Sequence, residues 1–329
     1  MKLTMKLMAG AATAAIGLTG ALPAMAAEKW DMPMAYSASN FHSENGVEFA
    51  NCVGAGTNGD IEITVHAGGS LFAGADIKRA IQTGQVQIGE RLLSGHQNEN
   101  PMFGFDNLPF LAPSFDEAEM WNKAAAPKIA EILDEQNLAV LYSVPWPPQG
   151  LYFDREINSV ADMKGIKFRS YNTATSRFAE LTGMLPVTIE AAEISQAFAT
   201  GVAESMISSG ATGYDRKVWE SLSHFYEVNS WLPRNYVMVN QEVWSGVSDA
   251  NKAAIMACAD EAAARGLQAS KDYTQFTMDG LAAGGMTVAP AGAELMSELI
   301  AIGDTMSQDW LAAAGDDGAA LIDAYKAMK

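Results

Sequence analysis

The stretch from Ser248 to about Leu281 constrains this chain more than any other. Ser248 and Asp249 read as a helix N-cap, an alanine-rich helical run follows, and Gly284-Gly285 break it. About 33 helical residues at 1.5 Å rise would extend about 50 Å. That is longer than one small domain is wide, so the helix is expected to lie along two.

Around it, strand-like and helix-like stretches alternate. Ile61–His66 (IEITVH) alternates and is β-branched, Leu138–Val144 is a buried-strand run, and Gly165–Arg169 and Tyr236–Asn240 read as short strands. Amphipathic stretches such as 115–136 and 176–181 lie between them. This alternation predicts α/β layers rather than a sandwich or a helix bundle. An internal echo points to two similar lobes. Residues 75–84 (ADIKRAIQTG) match residues 192–201 (AEISQAFATG), with Ala, acid, Ile, Ala, Thr and Gly in register. Each copy reads as a helix with a buried Ile/Ala face and a terminal Gly, followed by a strand-like run. The runs lead to Glu90-Arg91 in one copy and Ser208-Ser209 in the other. Ligands of open α/β sheets sit beyond the carboxyl ends of strands, so two such loops facing each other would line a cleft.

The N-terminus reads as an export signal: Lys2 and Lys6, an apolar run from about Leu7 to Leu22, then Ala24-Met25-Ala26 before Ala27. No Cys near the cleavage site argues for a lipid anchor, and no later segment is apolar for long enough to span a bilayer. A free extracytoplasmic, periplasmic protein is expected, with roughly 300 residues after cleavage, enough for about two domains. The net charge is −18, and loss of Lys2 and Lys6 makes it more negative still. Such a chain is repelled by phosphate backbones, which excludes nucleic acid as a partner. To bind an anion it must concentrate positive charge locally. Cys52 and Cys258 are open to two readings, a disulfide or buried thiols. His42, His66, His96 and His224 lack metal-ligand spacing and are read as surface or capping residues, so no metal is expected.

No catalytic constellation is present: no G-x-S-x-G, no H-E-x-x-H, no G-x-x-x-x-G-K loop. Gly54-Ala55-Gly56 and Gly68-Gly69 read as turns, and no cofactor is expected. Binding residues are better represented. Arg169 ends its strand and is followed by Ser170-Tyr171-Asn172 and a helical run. A guanidinium at that point can hold a carboxylate bidentately, and the helix N-terminus favours an anion. Aromatic residues gather nearby, among them Tyr142, Trp146, Tyr152, Tyr171, Tyr214 and Trp231. Trp146 precedes Pro147-Pro148-Gln149-Gly150, a crossover loop where a ring would close over a ligand.

Taken in order, these residues resemble a known family. Gly69-Ser70-Leu71, Ala80–Gly84, Phe105-Asp106-Asn107-Leu108-Pro109-Phe110, Asp162–Arg169 (DMKGIKFR), Gly183–Pro186 and Glu193–Gly201 are similar in order and spacing to the DctP-type substrate-binding proteins of tripartite ATP-independent periplasmic (TRAP) transporters. The D-x-K-G-x-K-x-R segment with its downstream E-x-x-x-A-x-x-x-G is the most specific part. The resemblance implies a two-lobed fold that closes on its ligand, a long helix spanning both lobes, and delivery to TRAP membrane subunits driven by an ion gradient. It implies that the hallmark carboxylate-binding arginine is Arg169, with Asn172 its neighbour, Glu90 on the first-lobe cleft loop and Ser208 on the second. In the sialic-acid branch a second arginine would fall at Gln149 and an asparagine at Ser208. This chain departs at both, which argues against a polyhydroxylated sugar acid.

The expectation is a non-enzymatic binding protein that captures a small organic acid by its carboxylate, a monocarboxylate that is small or apolar, aromatic acids included. The candidate site is Arg169, Asn172, Glu90, Ser208, Tyr171, Trp146, Gln149, Ser209, Trp231, Asn235 and Arg91. The lobes are expected at 27–146 plus 235–273 and at 147–234 plus 274–329, after a signal at 1–26. Two rival readings share the acidic ligand: a periplasmic hydrolase, and the ligand-binding component of a sensor.

Overall fold

Short apolar segments that alternate in polarity become strands here, and the segments between them become helices. The computed structural model describes residues 27–329; the export signal read at 1–26 lies outside the described residues. The chain begins with β1 (Glu28–Pro33), α1 (Phe41–Gly56), β2 (Ile61–His66), α2 (Ile77–Gln82), β3 (Ile88–Leu92), α3 (Phe115–Asp134) and β4 (Leu138–Pro145). It continues with β5 (Gln149–Phe153), β6 (Lys167–Ser170), α4 (Thr173–Leu181), β7 (Leu185–Thr188), α5 (Ile194–Ala199), β8 (Ser205–Ser209), α6 (Gly210–Asp215) and β9 (His224–Glu227). Then come β10 (Arg234–Asn240), α7 (Gln241–Gly246), α8 (Asp249–Ala283), β11 (Thr287–Pro290) and α9 (Ala293–Lys326).

The fold is α/β and two-lobed. One lobe carries the parallel pair β1–β2 and the antiparallel sheet β3-β10-β4; the other carries a six-stranded mixed sheet in the order β11-β9-β5-β8-β6-β7. In the first, Trp30, Phe49, Ile81, Phe105, Trp121 and Val237 join one core. In the second, the two-residue period of a strand sends alternate side chains to opposite faces. Leu151 and Phe153 of β5 face a core shared with α4 and the start of α9. Tyr152 between them faces the core shared with α5 and the end of α8. A sheet buried on both faces explains why β5 and β8 are buried at every position.

The echo is a structural repeat. Each copy is a three-ten turn running into a short helix, α2 or α5, and each leads into a buried strand, β3 or β8. Gly84 and Gly201 end the helices at φ +70° and +68°, a conformation that a side chain disfavours. The strand expected to start at Gly165 begins at Lys167, because Gly165 is itself a turn residue at φ +80°.

Two strand crossings connect the lobes side by side. Between β4 and β5 the chain passes through Trp146–Pro148, and between β9 and β10 through residues 228–233. They are tied by backbone hydrogen bonds from Trp146 N to Pro233 O (2.7 Å), from Gln149 N to Trp231 O (3.0 Å) and from Ser230 N to Gln149 O (3.0 Å). As the sequence required, α8 starts on an Ser248 cap and runs 35 residues. Its Ile255, Cys258 and Ala259 pack in the first core, while Leu281 packs in a core of the six-stranded sheet. A second long helix, α9, was not read from the sequence. Its Leu295 and Leu299 pack under the six-stranded sheet, and beyond a break at Gly315 its Leu321 and Tyr325 pack on the first core. Segment 274–329 thus contributes to both cores.

The two cysteines form a disulfide, Cys52–Cys258, which resolves the alternatives left by the sequence and ties α1 to α8. The surface reading of the histidines fails for His42 and His96. His42 is fully buried, its ring packed on Phe41 (4.1 Å) and Trp146 (4.3 Å), because α1 turns its first residues inward.

Candidate functional site

Arg169 is the third residue of β6, a strand flanked by β8 and β7, and its side chain is buried to 3% exposure. Its Nε donates to Ile189 O at 2.9 Å. Its guanidinium carbon lies 5.1 Å from the Tyr171 ring centroid, a cation–π distance. Its terminal nitrogens have no hydrogen-bond or ion-pair partner among the described residues. Burial pulls its pKa down to about 10, because removing water disfavours the cation. It stays charged at neutral pH and faces a cavity of about 30 Å³.

The cavity lies between β3, the strand crossings, β6 and the start of α6. Its wall comprises Tyr36, Arg91, Leu92, Trp146, Gln149, Arg169, Tyr171, Glu190, Ala191, Ser208, Thr212 and Pro233. Arg91 is not free as Arg169 is. It donates through Nη2 to Glu190 Oε1 (3.1 Å), through Nη1 to Oε2 (3.3 Å) and through Nε to His96 Nε2 (3.4 Å). His96 bonds Glu99 through Nδ1 (2.7 Å), and the buried Lys78 closes the row on Glu99 (2.6 Å). Burial first, then the neighbouring Arg91 charge, lowers His96 to about 4, so its Nε2 stays an acceptor for Arg91. Burial raises the Tyr36 and Tyr171 phenols well above their usual range, so both remain neutral.

Six residues expected in the site meet on this wall: Arg169, Tyr171, Trp146, Gln149, Ser208 and Arg91. The Trp146 ring is not a swinging lid. Its Nε1 donates to Asn235 Oδ1 (2.8 Å), and the ring packs edge-on to Tyr36 at 4.7 Å. The other five stand behind the wall. Glu90 and Ser209 neighbour Arg91 and Ser208 on β3 and β8, and the strand period turns them the other way. Glu90 accepts from Asn235 Nδ2 (2.9 Å) and lies 3.6 Å from His42 Nδ1. Ser209 caps α6 through the Thr212 N–H. Trp231 donates to the Tyr171 hydroxyl (2.9 Å), so it and Asn235 brace the aromatic wall. Asn172 caps α4 and reaches across the cleft, donating to Ser94 Oγ (3.0 Å) and to Asn107 Oδ1. Its adjacency to Arg169 in sequence places it at the lobe junction rather than on the cavity.

Sequence reasoning missed Tyr36, Glu190 and Thr212. Tyr36 and Glu190 come from loops after β1 and β7, so only tertiary contact brings them in; Thr212 follows Ser209 by one helical turn, a spacing that the capping Ser209 already implied. The lobes are bridged at Arg91–Glu190, at Asn172–Ser94 and at Asn40, which donates to Asp215 (2.7 Å). Among the described residues no cluster of three His, Cys, Asp or Glu side chains is placed to hold a metal ion. No described helix is long and apolar enough to cross a membrane.

Residues 34–310 match the family model DctP, bacterial extracellular solute-binding protein family 7. A crystal structure of a marine metagenome TRAP solute-binding protein specific for pyroglutamate, from an unidentified microbe and in complex with that ligand, is 56% identical. It covers 91% of this chain and 99% of its own, with a TM-score of 0.90. Bordetella pertussis DctP6, an extracytoplasmic solute receptor binding pyroglutamic acid, is 43% identical over 91% of this chain and 99% of its own, with a TM-score of 0.89. Its counterpart DctP7, also binding pyroglutamic acid, is 39% identical over 91% and 100%, with a TM-score of 0.90. A monocarboxylate 2-oxoacid-binding periplasmic protein of Nostoc sp. is 24% identical over 73% of this chain and 67% of its own length. The chain belongs to the DctP family of bacterial extracellular solute-binding proteins, and its role is that of a TRAP-type periplasmic binding subunit.

Proposed function

We propose that this chain captures a compact cyclic monocarboxylate, pyroglutamate, and presents it to TRAP membrane subunits. The observation that carries the reading is Arg169: a buried cation on the wall of the interlobe cavity, with its terminal nitrogens uncommitted. The ligand carboxylate takes the fork of Arg169. The wall hydroxyls of Tyr36 and Ser208 offer hydrogen bonds to the ring's amide edge. The three relatives 39–56% identical across nearly the whole chain, all binding pyroglutamate, support this ligand among the small or apolar monocarboxylates that the sequence suggested, and favour it over an aromatic acid.

The mechanism is capture without chemistry. An open cleft admits the anion, and closure about the crossings at Trp146–Pro148 and 228–233 removes water and strengthens the ion pair. The closed surface is what the membrane subunits meet, so ligand and docking are coupled through one conformational equilibrium. The lobes divide as 27–146 plus 235–273 and 147–234 plus 274–329, with α9 strapped back across the first. Residues 1–26 direct export and are removed. A thermal-shift panel of small carboxylates on protein stripped of ligand tests the reading. Pyroglutamate is expected to raise the melting temperature most, since a ligand that binds only the folded state stabilises it. No shift at millimolar pyroglutamate refutes it.

A further inference from the structure

Glu190 shares the cavity wall with two guanidinium groups. Arg91 holds it through both terminal nitrogens, at 3.1 and 3.3 Å. Arg169 is the other, held by its Nε to the carbonyl of Ile189, the residue before Glu190. Every other wall residue is neutral. Two cations and one anion leave a single positive charge for a ligand to match.

The pair is built into the backbone around it. A Cβ on Gly74 would stand 2.9 Å from Arg91 Nη1 and 2.9 Å from Glu190 Oε2. A Cβ on Gly95 would stand 2.9 Å from Arg91 Nη2. His96 occupies the Nε. Three of the five Arg91 N–H groups are thus engaged, two of them by Glu190, and the backbone at Gly74 and Gly95 packs closely against the guanidinium.

Resting on the pyroglutamate reading above, we infer that Glu190 is a specificity-determining residue: it occupies Arg91 and so reserves the site for ligands carrying one negative charge, excluding dicarboxylates of similar length. A second carboxylate entering the cavity meets a guanidinium already neutralised and a carboxylate beside it. Like charges buried together without a counterion are costly. A neutral amide edge meets the same wall without that cost.

The test titrates wild type, Glu190→Gln and Glu190→Ala with pyroglutamate and with glutarate, a five-carbon dicarboxylate, and compares the ratio of the two dissociation constants. Wild type is expected to prefer pyroglutamate by at least 100-fold, and both variants to narrow that ratio at least tenfold. Arg91→Gln breaks the same pair by removing the cation and is expected to give no gain for glutarate. It also serves if the Glu190 variants fold poorly. If Glu190 only held the lobes together, both ligands would weaken in parallel, and an unchanged ratio overturns the proposal. So does an equal glutarate gain in Arg91→Gln. If wild type rejects pyroglutamate but takes another monocarboxylate, the ligand reading falls alone, and the ratio is measured with that acid instead.

Discussion

Replacing Arg169 by Met keeps most of the side-chain volume and removes the charge. If Arg169 holds the ligand carboxylate as proposed, this deletes a bidentate charge-assisted pair. Two such bonds at about 1.5–3 kcal/mol each, discounted for non-additivity, give a loss of about 3–5 kcal/mol. That is roughly 150- to 5,000-fold in Kd. The ligand-free protein behaves differently. Holding this cation out of water lowers its pKa from 12.5 to about 10, a burial cost on the order of 3 kcal/mol, offset in part by one hydrogen bond to Ile189 O. Removing the charge recovers much of that cost, so ligand-free Arg169→Met is expected to melt no lower than wild type. Calorimetric titration reads the first quantity, and scanning calorimetry of stripped protein the second. Affinity within threefold of wild type, or a ligand-free variant destabilised by several kcal/mol, refutes the argument that Arg169 is held at a cost for a ligand.

The same lowered pKa predicts that affinity for a carboxylate falls as pH rises through about 10, where Arg169 loses its charge; a flat titration from pH 8 to 11 contradicts it. His96, lowered to about 4 from an unfolded value near 6.5, binds its proton more readily in the unfolded chain. Its contribution is therefore present above pH 6.5 and lost as pH falls towards 4, and His96→Gln should flatten the denaturation midpoint across that window. Asn172→Ala removes a helix cap and the bridge to Ser94 and Asn107, and is expected to lower stability by about 1–2 kcal/mol and to weaken ligand binding severalfold by favouring the open form. Opening the Cys52–Cys258 bond frees a loop spanning 206 residues, for which chain entropy gives up to about 5 kcal/mol; an unchanged melting temperature in Cys52→Ser/Cys258→Ser refutes that estimate.

Periodic features carried the fold in the sequence. The α8 run, the repeat ending in Gly84 and Gly201, and the strand patterns are local, so spacing along the chain reports them. The candidate site was legible where one residue's position on one strand decides where its side chain lies, as for Arg169 near the end of β6. It was less legible where two neighbours compete: Glu90 and Arg91, or Ser208 and Ser209, differ only in which face of a buried strand they take, and a strand buried on both faces gives no polarity signal for that choice. Glu190 and Tyr36 reach the cavity from loops far apart in sequence. The burial of His42 is not legible in the surface or capping reading, because a single polar residue says nothing of the aromatic rings that cover it. The α9 helix was missed because Gly303, Gly315 and Gly318 interrupt its pattern, although Gly303 and Gly318 sit within it at close packing contacts.

The bond between Cys52 and Cys258 makes α8 a beam bolted near one end. The bolted end moves with α1 and the first core, and the far end is embedded through Leu281 beneath the six-stranded sheet. Along the span the beam rests on a tight seat at Gly266, where any Cβ would come within 2.5 Å of Val144. The helix therefore lies close against β4 at that point, and the span from Gly266 to Leu281 carries it from the first core to the six-stranded sheet. The disulfide forms no part of the cavity wall, so reducing it removes a covalent tie between α1 and the long helix that reaches both lobes while leaving every cavity residue in place.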